Sequence, residues 1–155
     1  MNKFKIPKIV RPLRLEEYQP EYGEATIWVW VNPPIELVQQ RQAFVQRILE
    51  AQRELVSAMQ EMQKEEISAE EKAALKTQQA ACVQRISEGG EETMRWISQV
   101  WSQHSEEANH WPLEEVEALV TQTAGENGED PGLWSWLVQH TVEMISEYRK
   151  SRKKA

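Results

Sequence analysis

The densest group of metal-ligating side chains is His104, Glu106, Glu107 and His110. Zinc sites set their ligands at a few short spacings on a helix or knuckle, and these histidines fall at a helix end and in a loop without such spacing. The single cysteine, Cys82, can form neither an internal disulfide nor a Cys-based zinc site. It sits in a small apolar set with no neighbouring histidine or cation evident in the sequence to lower its pKa, and reads as a structural thiol rather than a nucleophile. His140 reads as a boundary residue of the last helix, not a base. Glu114, Glu115 and Glu117 read as a charged helix start, because an acid/base pair needs carboxylates that converge. The chain has no phosphate-binding glycine loop and no Ser/His/Asp motif. We therefore expect no catalytic residue, no metal and no cofactor.

Seven tryptophans in 155 residues are the other chemically distinctive feature. Indole rings stack on single-stranded bases or anchor protein interfaces. Charge decides between these uses. All 25 acids lie within residues 16–147, with eight bases among them. Five bases precede that body (Lys3, Lys5, Lys8, Arg11, Arg14) and five follow it (Arg149, Lys150, Arg152, Lys153, Lys154). An acidic body repels nucleic acid, so we expect the indoles to serve core packing or protein recognition, and no specific duplex binding. Trp28, Trp30, Trp134 and Trp136 are the leading protein-binding candidates, because paired aromatics anchor an interface at low entropy cost. Burial within the monomer is the competing use for each pair. The basic ends read as solvated arms or internal counter-charge. Contact with a phosphate surface, an acidic partner or a second copy of the chain is the alternative.

These residues must be positioned by local structure. Residues 25–31 (Ala-Thr-Ile-Trp-Val-Trp-Val) are β-branched and aromatic, and form the best strand in the chain. Period two puts Trp28 and Trp30 on one face and Ile27, Val29 and Val31 on the other. Residues 9–15 can pair with this strand across a turn at residues 20–23. Asn32-Pro33 reads as the cap and first residue of a helix over residues 33–64. Ser68 opens a capping box for a helix over residues 69–87, which the pair Gly89-Gly90 is expected to stop. A third helix then starts near Glu91 and carries a stripe from Met94 through Trp101 to His104. A short helix over residues 112–120 precedes a loop, and Asp130-Pro131 caps a final helix. The expected fold is mainly α, with a small N-terminal β-strand or hairpin. Residues 1–24 form an extended basic arm and first strand, residues 25–148 one helical domain, and residues 149–155 a basic tail. One core is expected to unite Ile27, Val29, Phe44, Ile48, Trp96, Val100, Trp101, Leu133, Leu137 and Met144. No stretch is apolar for long enough to span a bilayer, and the N-terminus lacks the apolar run of a signal peptide, so a cytoplasmic location is expected.

The order of these features resembles the tail assembly chaperones of long-tailed bacteriophages. The matching parts are Arg11-Pro12-Leu13 with the strand Trp28-Val29-Trp30-Val31-Asn32-Pro33-Pro34, the helix Met94-Arg95-Trp96-Ile97-Ser98-Gln99-Val100-Trp101, and the segments Trp111-Pro112-Leu113-Glu114-Glu115-Val116 and Pro131-Gly132-Leu133-Trp134-Ser135-Trp136-Leu137. The resemblance spans about two thirds of the chain, and residues 68–87 are extra relative to shorter members. It implies a non-enzymatic protein of the host cytoplasm, absent from the mature virion. Its partner would be the aggregation-prone tape-measure protein, with the tail-tube protein as a second partner and homo-oligomers among its states. Family members often come in two lengths through a programmed frameshift. The alternative function is a helical adaptor or regulatory protein that meets nucleic acid or a protein through its basic arms.

Overall fold

A computed structural model describes residues 6–105 and 109–154. Lys3 and Lys5 of the basic arm, and Glu106 and Glu107 of the acidic cluster, lie outside the described residues. The element order is β1 (Val10–Arg14), β2 (Thr26–Trp30), α1 (Ile35–Met62), α2 (Ala69–Val100), β3 (Trp101–Ser102), α3 (Leu113–Ala124) and α4 (Pro131–Lys154). The fold is mainly α with an N-terminal β element, as the pattern of capped amphipathic segments dictates. The chain divides into two compact units, residues 36–93 and residues 1–35 with 94–155.

In the second of these, β1, β2 and β3 form an antiparallel sheet in that order. Val10 stands opposite Trp30 and Leu13 opposite Ile27, and the Leu15 N–H closes the hairpin on Ala25 O at 3.0 Å. The connection turns through two short 3-10 segments and Gly23, whose φ of 58° is a positive value that a residue with a Cβ adopts at a cost. Along β2 the expected alternation holds: Ile27 and Val29 are buried, as is Val31 beyond the strand, while Trp28 and Trp30 are half-buried. The buried face packs with Leu13, Trp96, Ile97, Val100, Trp101, Val116, Leu133, Leu137 and Ile145 in the core. On α4 it is Ile145 that is buried, and Met144, the expected core residue, is half-buried.

Three sequence expectations fail here for identifiable reasons. Asn32 does not cap α1. Its Oδ1 accepts the Ile9 N–H at 2.7 Å and its Nδ2 donates to Pro7 O at 2.8 Å, so the side chain pins the N-terminal arm and the helix begins after Pro34. The stripe from Met94 to His104 is cut at Val100. Trp101 and Ser102 leave the helix to pair with Val29 and Trp28, the Trp111 N–H donates to Trp101 O at 2.9 Å, and His104 is exposed. Finally, Gly89-Gly90 does not end a helix, because α2 runs through both to Val100.

The reason lies in the unit formed by residues 36–93, where α1 and α2 make an antiparallel hairpin. Pairs of touching residues run in opposite order along the two helices: Arg47 with Glu92, Ile48 with Gly89, Glu54 with Arg85, and Met62 with Gln79. Ser68 opens α2 as expected, its Oγ accepting the Glu71 N–H at 3.1 Å. A Cβ at Gly89 would overlap the Ile48 side chain, so this glycine admits a close approach of the helices; at Gly90 a Cβ would meet nothing within 4 Å. Gly90→Ala should therefore stabilise the chain by about 0.5–1 kcal/mol, the ordinary cost of a mid-helix glycine relative to alanine. Gly89→Ala should lose that gain to the clash. Urea unfolding of both variants checks this; a more stable Gly89→Ala would mean that α1 does not press on that position. Ile48 itself is half-buried, although it was expected in the core.

No helix among the described residues is long and apolar enough to cross a membrane.

Candidate protein-binding face

The sheet builds the clearest paired-aromatic surface. Residues directly opposite in a sheet share a face, so Trp28 and Trp30 stand with their partners Pro12, Ser102 and Val10 on the side away from Ile27 and Val29. The Lys8 ammonium lies 4.5 Å from the centre of the Trp30 ring, a cation–π contact that holds the arm over this face. Two polar atoms on these residues, Trp30 Nε1 and Ser102 Oγ, are buried with no hydrogen-bond partner among the described residues. A native chain leaves few such groups, because each carries a desolvation cost of about 1–3 kcal/mol.

The other pair is separated by its own helix. Positions i and i+2 on a helix do not face each other. Trp134 turns toward the core, its ring 6.0 Å from that of Trp101 and edge-on to it. Trp136 turns the other way, with its ring 5.3 Å from Tyr18 and 4.3 Å from His140. Both are half-buried, but they do not make one patch.

Trp136 instead borders a cluster that sequence reasoning missed. The Tyr18 and Tyr22 hydroxyls donate to Oδ1 and Oδ2 of Asp130 at 2.8 and 2.7 Å. Asp130 precedes α4 as expected, and one carboxylate thereby ties the β1–β2 connection to the start of that helix. Hydrogen bonds from Tyr22 and Tyr18 hold its carboxyl below the usual aspartate range, while the same bonds push Tyr22 up to about 12 and raise Tyr18. A depressed carboxyl pKa stabilises the fold above the unfolded value and is lost as pH falls through the folded one. A raised phenol pKa stabilises the fold below about 10, and that contribution is lost as pH rises toward about 12. The Tyr18→Phe/Tyr22→Phe double variant should therefore flatten the fall of stability on both the acid and the alkaline side. Thermal melts across pH check this, and unchanged limbs would remove the latch from the account. The available signal was composition: Asp130 is the one aspartate among 25 acids.

The remaining candidates for chemistry, Cys82, the histidines and the glutamates of α3, do not converge on one site among the described residues. Cys82 is fully buried, as a structural thiol would be, yet a cationic neighbour is present: Arg85 Nη2 donates to Sγ at 3.5 Å, and the thiol meets Glu54 at 3.7 Å. The i, i+3 spacing on α2 makes Arg85 a neighbour of Cys82, a signal present in the sequence, whereas Glu54 arrives from α1. His110 Nδ1 lies 3.1 Å from Trp111 O, and His140 Nδ1 is 3.5 Å from Glu143. No group of three or more His, Cys, Asp or Glu among the described residues is placed to hold a metal ion. Glu114 and Glu115 occupy the first turn of α3, where carboxylates complement the helix dipole. Comparison with protein-family models, curated proteins and solved structures returned no match.

Proposed function

We propose that this chain is a tail assembly chaperone that binds the tape-measure protein and keeps it soluble in the host cytoplasm while the tail tube forms, without catalysing a reaction. The observation that carries the reading is the Trp28–Trp30 pair, which is half-buried on the sheet face opposite the core. Two indoles at period-two spacing present a rigid apolar surface, suited to an exposed hydrophobic segment of a partner. The family-like order of strand, tryptophan helix and closing helix supports the partner's identity. Trp136, packed at a tilt beside Tyr18, is a second contact on this reading, and Trp134 contributes through its packing on Trp101.

Co-purification with a co-expressed tape-measure protein tests this. The wild-type chain is expected to carry the partner through affinity capture. Trp28→Ala and Trp30→Ala, once shown to be folded by circular dichroism, are expected to weaken capture by about 30-fold or more, the scale of an interface hot spot. Folded variants that capture normally would remove this face, and a wild type that captures nothing would remove the partner. Sequence-selective duplex binding at near-physiological salt, lost when the basic arms are neutralised, would favour the adaptor alternative instead.

A further inference from the structure

We infer that the hairpin of α1 and α2 carries a second docking surface, built for an amphipathic helix of another protein whose apolar stripe is flanked by acidic residues. The inference does not depend on the partner proposed for the tryptophans.

The two flanks of the hairpin differ in kind. On one, Arg47 pairs with Glu92 and Arg85 with Glu54, so cations and carboxylates close over the seam between the helices. On the other, Leu49, Val56, Met59 and Val83 are 41%, 54%, 51% and 55% exposed. These four side chains lie on the same side. On α1 they follow half-buried Val45 at steps of four, seven and three, a row rotated away from the inner residues Phe44, Ala51 and Ala58. In an antiparallel pair, the residue that follows an inner position on α2 falls on the same flank, and Val83 follows buried Cys82. Gly90, one helical repeat beyond Val83, continues that flank into open space. From Val45 to Met59 the row is about 21 Å long at 1.5 Å per residue, four turns of a partner helix.

Charge selects the occupant. The four acids of α1, Glu36, Glu50, Glu54 and Glu61, all fall on the opposite flank by helical spacing. Among the charged residues on this flank basic ones prevail: Arg53 beside the row on α1, and Lys76 and Lys72 on α2 beyond its Met59 end, are exposed with no acid in salt-bridge range among the described residues, while the acid Glu91 lies next to Gly90 at the other end. A second copy would bring the same cations to the same row, and in the antiparallel pairing centred near Gln52 Arg53 would meet its own image. A helix with glutamates beside its apolar stripe meets the row with opposite charge, which both steers encounter and disfavours self-pairing.

The test uses the full chain and a labelled synthetic helix with leucine at its a and d positions and glutamate at e and g, followed by fluorescence anisotropy. Saturable binding is expected, with the lysine-flanked version of the peptide at least about tenfold weaker. Salt should narrow that difference, because exposed charges are screened. Val56→Glu should weaken the glutamate-flanked peptide about tenfold or more at unchanged helical content, Lys76→Glu should shrink the preference between the two peptides, and Trp28→Ala should alter neither. Equal binding of the two peptides, or no saturable binding, would overturn the inference. So would sedimentation of the free chain as a dimer that Val56→Glu dissociates, since the occupant would then be a second copy.

Discussion

Trp101→Ala is expected to lower the free energy of unfolding by about 3–5 kcal/mol, the range for deleting a large buried aromatic side chain and leaving its cavity. The indole is fully buried at the junction of α2 and β3. Its ring packs edge-on against Trp111 at 5.1 Å and Trp134 at 6.0 Å, and its Nε1 donates to Thr141 Oγ1 at 3.0 Å on α4. Removing the side chain therefore costs apolar contact with Trp111 and Trp134 and takes the indole donor away from the buried Thr141 hydroxyl, which keeps its own bond to Leu137 O. Thr141→Val isolates the polar part. It keeps the volume nearly constant and leaves the indole N–H unpaired, at a cost of about 1–3 kcal/mol. Urea unfolding of the two variants measures both. A loss under about 1 kcal/mol for Trp101→Ala would place the ring outside the core.

Val29→Asp should abolish the native fold of its unit at neutral pH. Val29 is fully buried on the central strand, opposite Arg11 on one side and Trp101 on the other. A carboxylate there must be charged without solvent or become protonated; either course costs several kcal/mol, comparable to the whole stability of a domain. Trp28→Ala, one residue away on the opposite face, should remain folded, because Trp28 is only half-buried. Circular dichroism and near-UV signal separate the two outcomes. Equal tolerance at both positions would mean that the strand does not have a core face and a free face, and the binding surface would lose its basis.

What could be read in advance was set by local rules. Period-two alternation in β2 correctly assigned Ile27, Val29 and Val31 to one side and the two tryptophans to the other, and Ser68 capped α2 through a bond that spans three residues. The failures at Asn32, Gly89-Gly90 and Trp101 turned on partners distant in sequence. Asn32 has good cap chemistry, but residues 7 and 9 compete for its amide and take it. Gly89-Gly90 is a helix stop by propensity alone, and becomes helix interior because α1 presses on Gly89. Trp101 continues a helical stripe in sequence, yet β2 offers its backbone a strand partner at that point. The candidate face was half legible, through local periodicity alone. Strand geometry keeps Trp28 and Trp30 together, whereas helix geometry sends Trp134 and Trp136 apart, toward Trp101 and Tyr18 respectively.

The central claim concerns the state of a partner, so the most direct measurement is the soluble fraction of the tape-measure protein, and of fragments that tile it, expressed with and without this chain. On the proposed reading the partner is mostly insoluble alone and moves into the soluble fraction with the wild-type chain. Folded Trp28→Ala and Trp30→Ala variants should leave most of it insoluble. A partner whose soluble fraction is the same with and without the wild-type chain, across every fragment, would contradict the account.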